Sequence, residues 1–160
     1  MPTLTPFHTG RAAIALASAL ALSLAGCATD AGSTEPEAGG ETVDVTLQEF
    51  SVMPSADSAP AGQVTFSVTN DGPDDIHEFV VIATDLDLGE LPTDENGAVE
   101  EEGEGMTVID EIEDIPVGET QELTVDLDAG NYVLICNIYD EDEQEAHYQM
   151  GMYTAFEATD

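Results

Sequence analysis

The chain has 160 residues, enough for one ordinary domain, and 42% of them are hydrophobic, which is sufficient for a packed core. It carries 35 acidic residues against one base, Arg11, for a formal net charge of −34. Neutralising phosphate requires cations, so nucleic acid is excluded as a partner and docking onto anionic lipid head groups is disfavoured.

The first eleven residues hold that single Arg and no acid, and Ala12 to Leu24 is an apolar run of 13 residues. A helix needs about 20 residues to cross a bilayer, so this run is too short to span one and suits the core of an export signal. It ends in Leu24-Ala25-Gly26-Cys27, which resembles the bacterial lipobox. The resemblance implies that residues 1–26 are a lipoprotein signal peptide and that Cys27 is lipidated. The protein is then expected at the outer face of the cytoplasmic membrane, held by acyl chains alone. An ordinary signal peptide with an incidental Cys27 is the alternative. Residues 28–40, "ATDAGSTEPEAGG", read as a flexible spacer, so residues 27–40 form a lipidated linker and the folded domain covers 41–160.

From there the chain reads as all-β. "TVDVTLQEFSV" alternates at Val43, Val45 and Leu47 and changes phase at Phe50 and Val52, which predicts one strand with a bulge. "AGQVTFSVTNDGP" alternates Val64, Phe66 and Val68 with Thr65, Ser67 and Thr69 and breaks at a turn over Asn70-Asp71-Gly72-Pro73. "HEFVVIAT" is apolar on both faces, which predicts a central strand. An acidic segment from Leu86 to Gly105 follows, and it reads as an irregular, mobile surface excursion. "MTVIDEIEDI", "TQELTVDL", "NYVLICNI" and "GMYTAFEA" complete seven to eight strands with turns about every ten residues. That spacing predicts a Greek-key antiparallel β-sandwich.

The chemistry-bearing residues are few. With Cys27 lipidated and His8 in the signal, the domain keeps one Cys, Cys136, and two His, His77 and His147. Cys136 then has no intramolecular disulfide partner, which is unusual in an exported protein. Taken singly, each has a plainer reading: a buried structural thiol, an imidazole paired to a carbonyl, a solvated loop histidine. Taken together, one thiolate and two imidazoles with a weak thioether make a blue-copper donor set. Met152 lies five residues past His147 and its strand phase matches inward-facing Phe156; Met150 ranks second.

"GQVTFSVTNDG", "HEFVV", "GETQELTVDLDAGNYVLICN" and "HYQMGMYTAF" together resemble the cupredoxins of the plastocyanin-like and azurin-like branch. The resemblance covers most of 41–160. It implies one copper ion held by His77, Cys136, His147 and Met152, one-electron transfer, and a second His near the surface as the electron's exit. The sequence departs from the family's usual short Cys-to-His loop, since ten residues, "NIYDEDEQEA", separate Cys136 from His147. The acids in that loop, Asp140, Glu141, Asp142, Glu143 and Glu145, read as solvated, or else as steering a cationic partner or gathering metal ions. Asn137, directly after the thiolate, is expected either to brace the loop or simply to favour a turn.

The expected function is a membrane-tethered carrier of single electrons between extracytoplasmic redox proteins with basic docking surfaces; it is not an enzyme. The alternatives are a copper delivery or buffering lipoprotein and a metal-free β-sandwich used for interaction. The charge itself fits three settings: a solvated surface, life in high salt, or a basic partner or cations held at the acidic loops.

Overall fold

A computed structural model of the protein describes residues 40–160. The expected signal peptide, Cys27 and nearly all of the expected linker lie outside the described residues. The order of elements is β1 (Glu41–Gln48), β2 (Ser51–Pro54), β3 (Ser58–Pro60), β4 (Gly62–Asn70), β5 (His77–Thr84), β6 (Met106–Ile115), β7 (Thr120–Leu127), β8 (Gly130–Ile135), β9 (Tyr139–Asp140), β10 (Glu145–Ala146) and β11 (Tyr153–Thr159). Eleven strands exceed the seven to eight expected because four of them have only two to four residues. No α-helix occurs among the described residues.

Two sheets stack face to face, one ordered β2-β1-β4-β7 and the other β3-β11-β8-β5-β6. Most pairs are antiparallel, but β1 runs parallel to β4 and β3 runs parallel to β11. The period-2 pattern decides what goes inside. Val43, Val45 and Leu47 of β1, Val64, Phe66 and Val68 of β4, and Leu123, Val125 and Leu127 of β7 are all buried in one core. Phe66 reaches across the sandwich to Phe79 and Phe156, each with a ring centroid 5.3 Å away.

The expected bulged first strand is instead two strands. Glu49 and Phe50 form the turn of a hairpin in which Gln48 faces Ser51. The phase change at Phe50 marks that turn.

β5 is central, between β8 and β6, and its two apolar faces have different covers. Phe79 and Val81 point into the sandwich, whereas Val80 and Ile82 pack outward with Val133, Ile135, Tyr148, Leu91 and Val99. Leu91 and Val99 belong to the acidic 86–105 segment, so that segment is a cover over the outer face of the sheet and not a loose excursion. Backbone bonds between Asp94 and Ala98, and the Asp94 carboxylate accepting the Asn96 and Ala98 amides, fold its tip back on itself.

Candidate metal centre

The strand register brings the start of β5 against the end of β8, since Val80 faces Ile135. His77 shares the inward phase of Phe79 and Val81, and Cys136 shares that of Tyr132 and Leu134. Both side chains therefore enter the core at one end of the sandwich. β11 begins beside the end of β8, where the Cys136 amide donates to the Met152 carbonyl at 3.0 Å.

The long Cys-to-His stretch is absorbed locally. Strands β9 and β10 pair as a small hairpin, Asp140 facing Glu145, and the Asp140 carboxylate accepts the amides of Asp142 and Glu143 at the tip. The hairpin returns the chain so that the His147 amide donates to the Ile138 carbonyl at 2.9 Å. A tight turn follows, with the Met152 amide donating to the His147 carbonyl at 3.0 Å and Gly151 at φ 109, a conformation that suits glycine. Met152 is fully buried in the same cluster as Cys136, whereas Met150 is 46% exposed, so the inward thioether is that of Met152.

Three donor atoms converge. His77 Nδ1 and His147 Nδ1 are 3.3 Å apart, and Cys136 Sγ lies 3.7 Å from the first and 3.4 Å from the second. The centre of that triangle is about 2.0 Å from each corner, close to a metal–imidazole bond of about 2.0–2.1 Å. All three residues are buried. Two imidazoles, one thiol and a buried thioether match the trigonal copper donor set with its weak axial sulfur.

Burial sets the protonation of these groups. It pushes the Cys136 thiol up to about 12, against the opposing effect of the Glu78 amide, which donates to Sγ at 3.3 Å. Burial holds His77 down at about 4, helped by the neighbouring His147, and lowers His147 as well. Without metal the site is thus neutral, with both imidazoles free to offer a lone pair.

The second histidine, expected near the surface, has its own ring buried, with the partly exposed Asp75 carboxylate beside it. His147 is 1% exposed, with the Phe50 ring edge-on to it at a centroid distance of 5.2 Å. Asn137 braces, but not its own loop: its side chain accepts the Val99 amide at 2.6 Å and donates to the Val99 carbonyl and to Glu101. It fastens the 86–105 cover to the end of β8.

Three residues near the centre escaped sequence reasoning. Asn70, fully buried, donates to the Asp75 and Ile115 carbonyls and accepts the Gly72 amide, which shapes the loop leading to His77. Glu49 accepts the amides of Asp74 and Asp75 at 3.0 and 2.6 Å. Burial pushes the Glu49 carboxyl up, but those amides outweigh it and hold it below its ordinary value. Asp75 Oδ2 stands 4.0 Å from His147 Nε2. The phase change at Phe50 was the available signal for Glu49; an Asp among many Asp gave none for Asp75.

No family model matches the chain, and no curated protein matches it. Solved structures do. Reduced auracyanin from Roseiflexus castenholzii aligns over 76% of this chain and 98% of its own, with a TM-score of 0.54 and 16% identity. Rusticyanin from Thiobacillus ferrooxidans aligns over 75% of this chain and 79% of its own, with a TM-score of 0.51 and 17% identity. An azurin from Methylomonas sp. strain J covers 75% and 98%, with a TM-score of 0.50 and 18% identity. The fold is the cupredoxin β-sandwich. At the end of that sandwich this chain gathers the donors of a single type 1 copper site.

Proposed function

We propose that this protein binds one copper ion through His77, Cys136 and His147, with Met152 as the weak axial donor, and carries single electrons. The observation that carries the reading is the buried triangle of two Nδ1 atoms and one Sγ, 3.3–3.7 Å on a side. Copper supplies the one-electron couple. The residues do the rest. Core packing around Cys136 and Met152 holds the donors nearly fixed, so little has to rearrange when charge changes. The Glu78 amide stabilises negative charge on the sulfur, and the Phe50 ring helps keep water from His147.

Full burial of the three donors favours a carrier over a delivery protein, because a protein that hands its metal on needs accessible ligands. The lipobox-like Leu24–Cys27 supports tethering by lipid at the outer face of the cytoplasmic membrane. With no Lys or Arg after Arg11, its redox partners are proteins presenting basic docking surfaces.

The test is to add Cu(II) to the purified protein and record its visible spectrum. An intense thiolate-to-copper band in the wild type, lost in Cys136→Ser, is the expected result. A colourless wild type removes electron transfer and leaves an interaction domain as the better account.

A further inference from the structure

Two buried polar atoms next to the centre have no hydrogen-bond partner: His77 Nε2 and Glu49 Oε2. They belong to groups that face each other, for His77 Nε2 lies 4.0 Å from the other carboxylate oxygen, Glu49 Oε1. The same imidazole turns its Nδ1 toward Cys136 and His147. An imidazole whose Nδ1 lone pair serves a metal carries its proton on Nε2. That proton is then aimed at Glu49.

Glu49 is itself held in place. The amides of Asp74 and Asp75 both donate to Oε1, which leaves Oε2 without a partner. The same clamp fixes the backbone of Asp75, whose carboxylate stands 4.0 Å from His147 Nε2. Each imidazole therefore has a donor atom at the triangle and a carboxylate behind it. The two carboxylates are not equal: the Glu49 side chain is 11% exposed and that of Asp75 is 28% exposed.

Resting on the copper reading, we propose that Glu49 is a positioning residue of the centre, its carboxylate accepting the His77 Nε2 proton directly or through one water. This contact fixes the tautomer that presents Nδ1 and orients the ring, as carboxylates behind metal-bound histidines do generally. It also sets a negative charge in a water-poor place beside the metal, where charge interactions are screened least. Such a charge favours Cu(II) over Cu(I) and lowers the reduction potential. Asp75 acts in the same sense on His147, more weakly because it is wetter.

The experiment compares midpoint potentials of the copper-loaded wild type and Glu49→Gln. Gln keeps an oxygen for the two amides and removes the charge. The expected result is a retained visible band with about a tenfold shift toward Cu(I), a rise of about 59 mV for one electron. Glu49→Asp should recover part of the shift. Glu157→Gln should leave the potential unchanged, since Glu157 faces Asn131, five residues before Cys136 along the strand and roughly 16 Å away. A Glu49→Gln midpoint equal to that of a blue wild type overturns the role of Glu49 and leaves the copper reading standing. A colourless wild type overturns both. Should Glu49→Gln not fold, the wild type loaded with Cu(I) decides the matter by proton–nitrogen NMR of His77. A downfield, slowly exchanging Nε2 proton supports the contact, and a freely exchanging one overturns it.

Discussion

At His77 and Glu78, adjacent residues face opposite environments and bias stability in opposite directions. Burial lowers His77 from 6.5 to about 4, so between those values the unfolded chain takes up a proton that the metal-free fold refuses. That contribution is neutral above about pH 6.5 and costs stability as pH falls toward 4, on the order of 3 kcal/mol at its limit. Glu78 runs the other way. Burial, then the nearby carboxylates of Glu111 and Glu101, raise it from 4.5 to about 7. The fold binds its proton more tightly than the unfolded chain does, so stability is lost as pH rises from about 4.5 through 7. Glu78→Gln should therefore raise the melting temperature of the metal-free protein by a few degrees at pH 8 and leave it nearly unchanged at pH 4, an effect on the order of 1 kcal/mol after solvent screening. Thermal unfolding at the two pH values checks this, and equal shifts at both would rule it out. The donor residues were legible in the sequence because Cys136, His77 and His147 are scarce. Glu49 and Asp75 were not, because in a chain of 35 acids a functional carboxylate looks like any other. Only register and turn geometry single them out.

Among the elements, the 86–105 cover carries the most stability information beyond the two sheets. It brings two apolar residues to the outer face of β5, Leu91 and Val99, and it is pinned by two side chains. The Tyr148 hydroxyl accepts the Leu91 amide at 3.2 Å, and Asn137 pairs with both backbone groups of Val99. Asn137→Ala strands a buried Val99 amide and carbonyl, and an unmade buried hydrogen bond costs about 1–3 kcal/mol. We expect a lower urea midpoint by that amount and faster hydrogen exchange at Val99, with exchange in β4 altered only through the global change. Exchange at Val99 as slow as in wild type would show that Tyr148 and the apolar contacts suffice without Asn137. The strands themselves were easy to read: β4 and β7 alternate cleanly, and β6 and β7 coincide with the stretches read from the sequence, although β6 keeps no strict alternation where its pairing with β5 shifts register. The cover was not, because two buried side chains eight residues apart produce no periodicity, and their anchor, Asn137, lies 38 residues away from Val99. Likewise the hairpin of β9 and β10 hides in an acidic stretch whose pairing comes from backbone bonds and not from an apolar face.

Across the described residues as a whole, the acidic charge has no cationic side chain to balance it. No Lys or Arg lies among the described residues, and the ion pairs there are limited to His77 with Glu49 and His147 with Asp75, each at 4.0 Å. Both imidazoles are held neutral at pH 7 by burial, so even these pairs bring little charge neutralisation. Glu143, fully exposed at the hairpin tip, is raised by the neighbouring carboxylates of Glu145, Asp75 and Asp140. Folding concentrates this charge, so self-repulsion opposes the compact state. Added salt shortens the Debye length from about 30 Å at 0.01 M to about 3 Å at 1 M and removes most of the long-range part. The melting temperature should then climb steeply between about 0.01 and 0.15 M NaCl and flatten near 1 M. Sodium sulfate at equal ionic strength should add a further increment, because excluded salts also strengthen apolar burial. The two terms separate by composition. Replacing several exposed acids of β6 and β7, such as Glu113 and Glu122, with Gln should blunt the NaCl response while leaving the sulfate increment intact. A melting temperature insensitive to NaCl over this range would mean that the carboxylates are already far enough apart in water to fold without help. The acidity would then point to a basic partner and not to a saline setting.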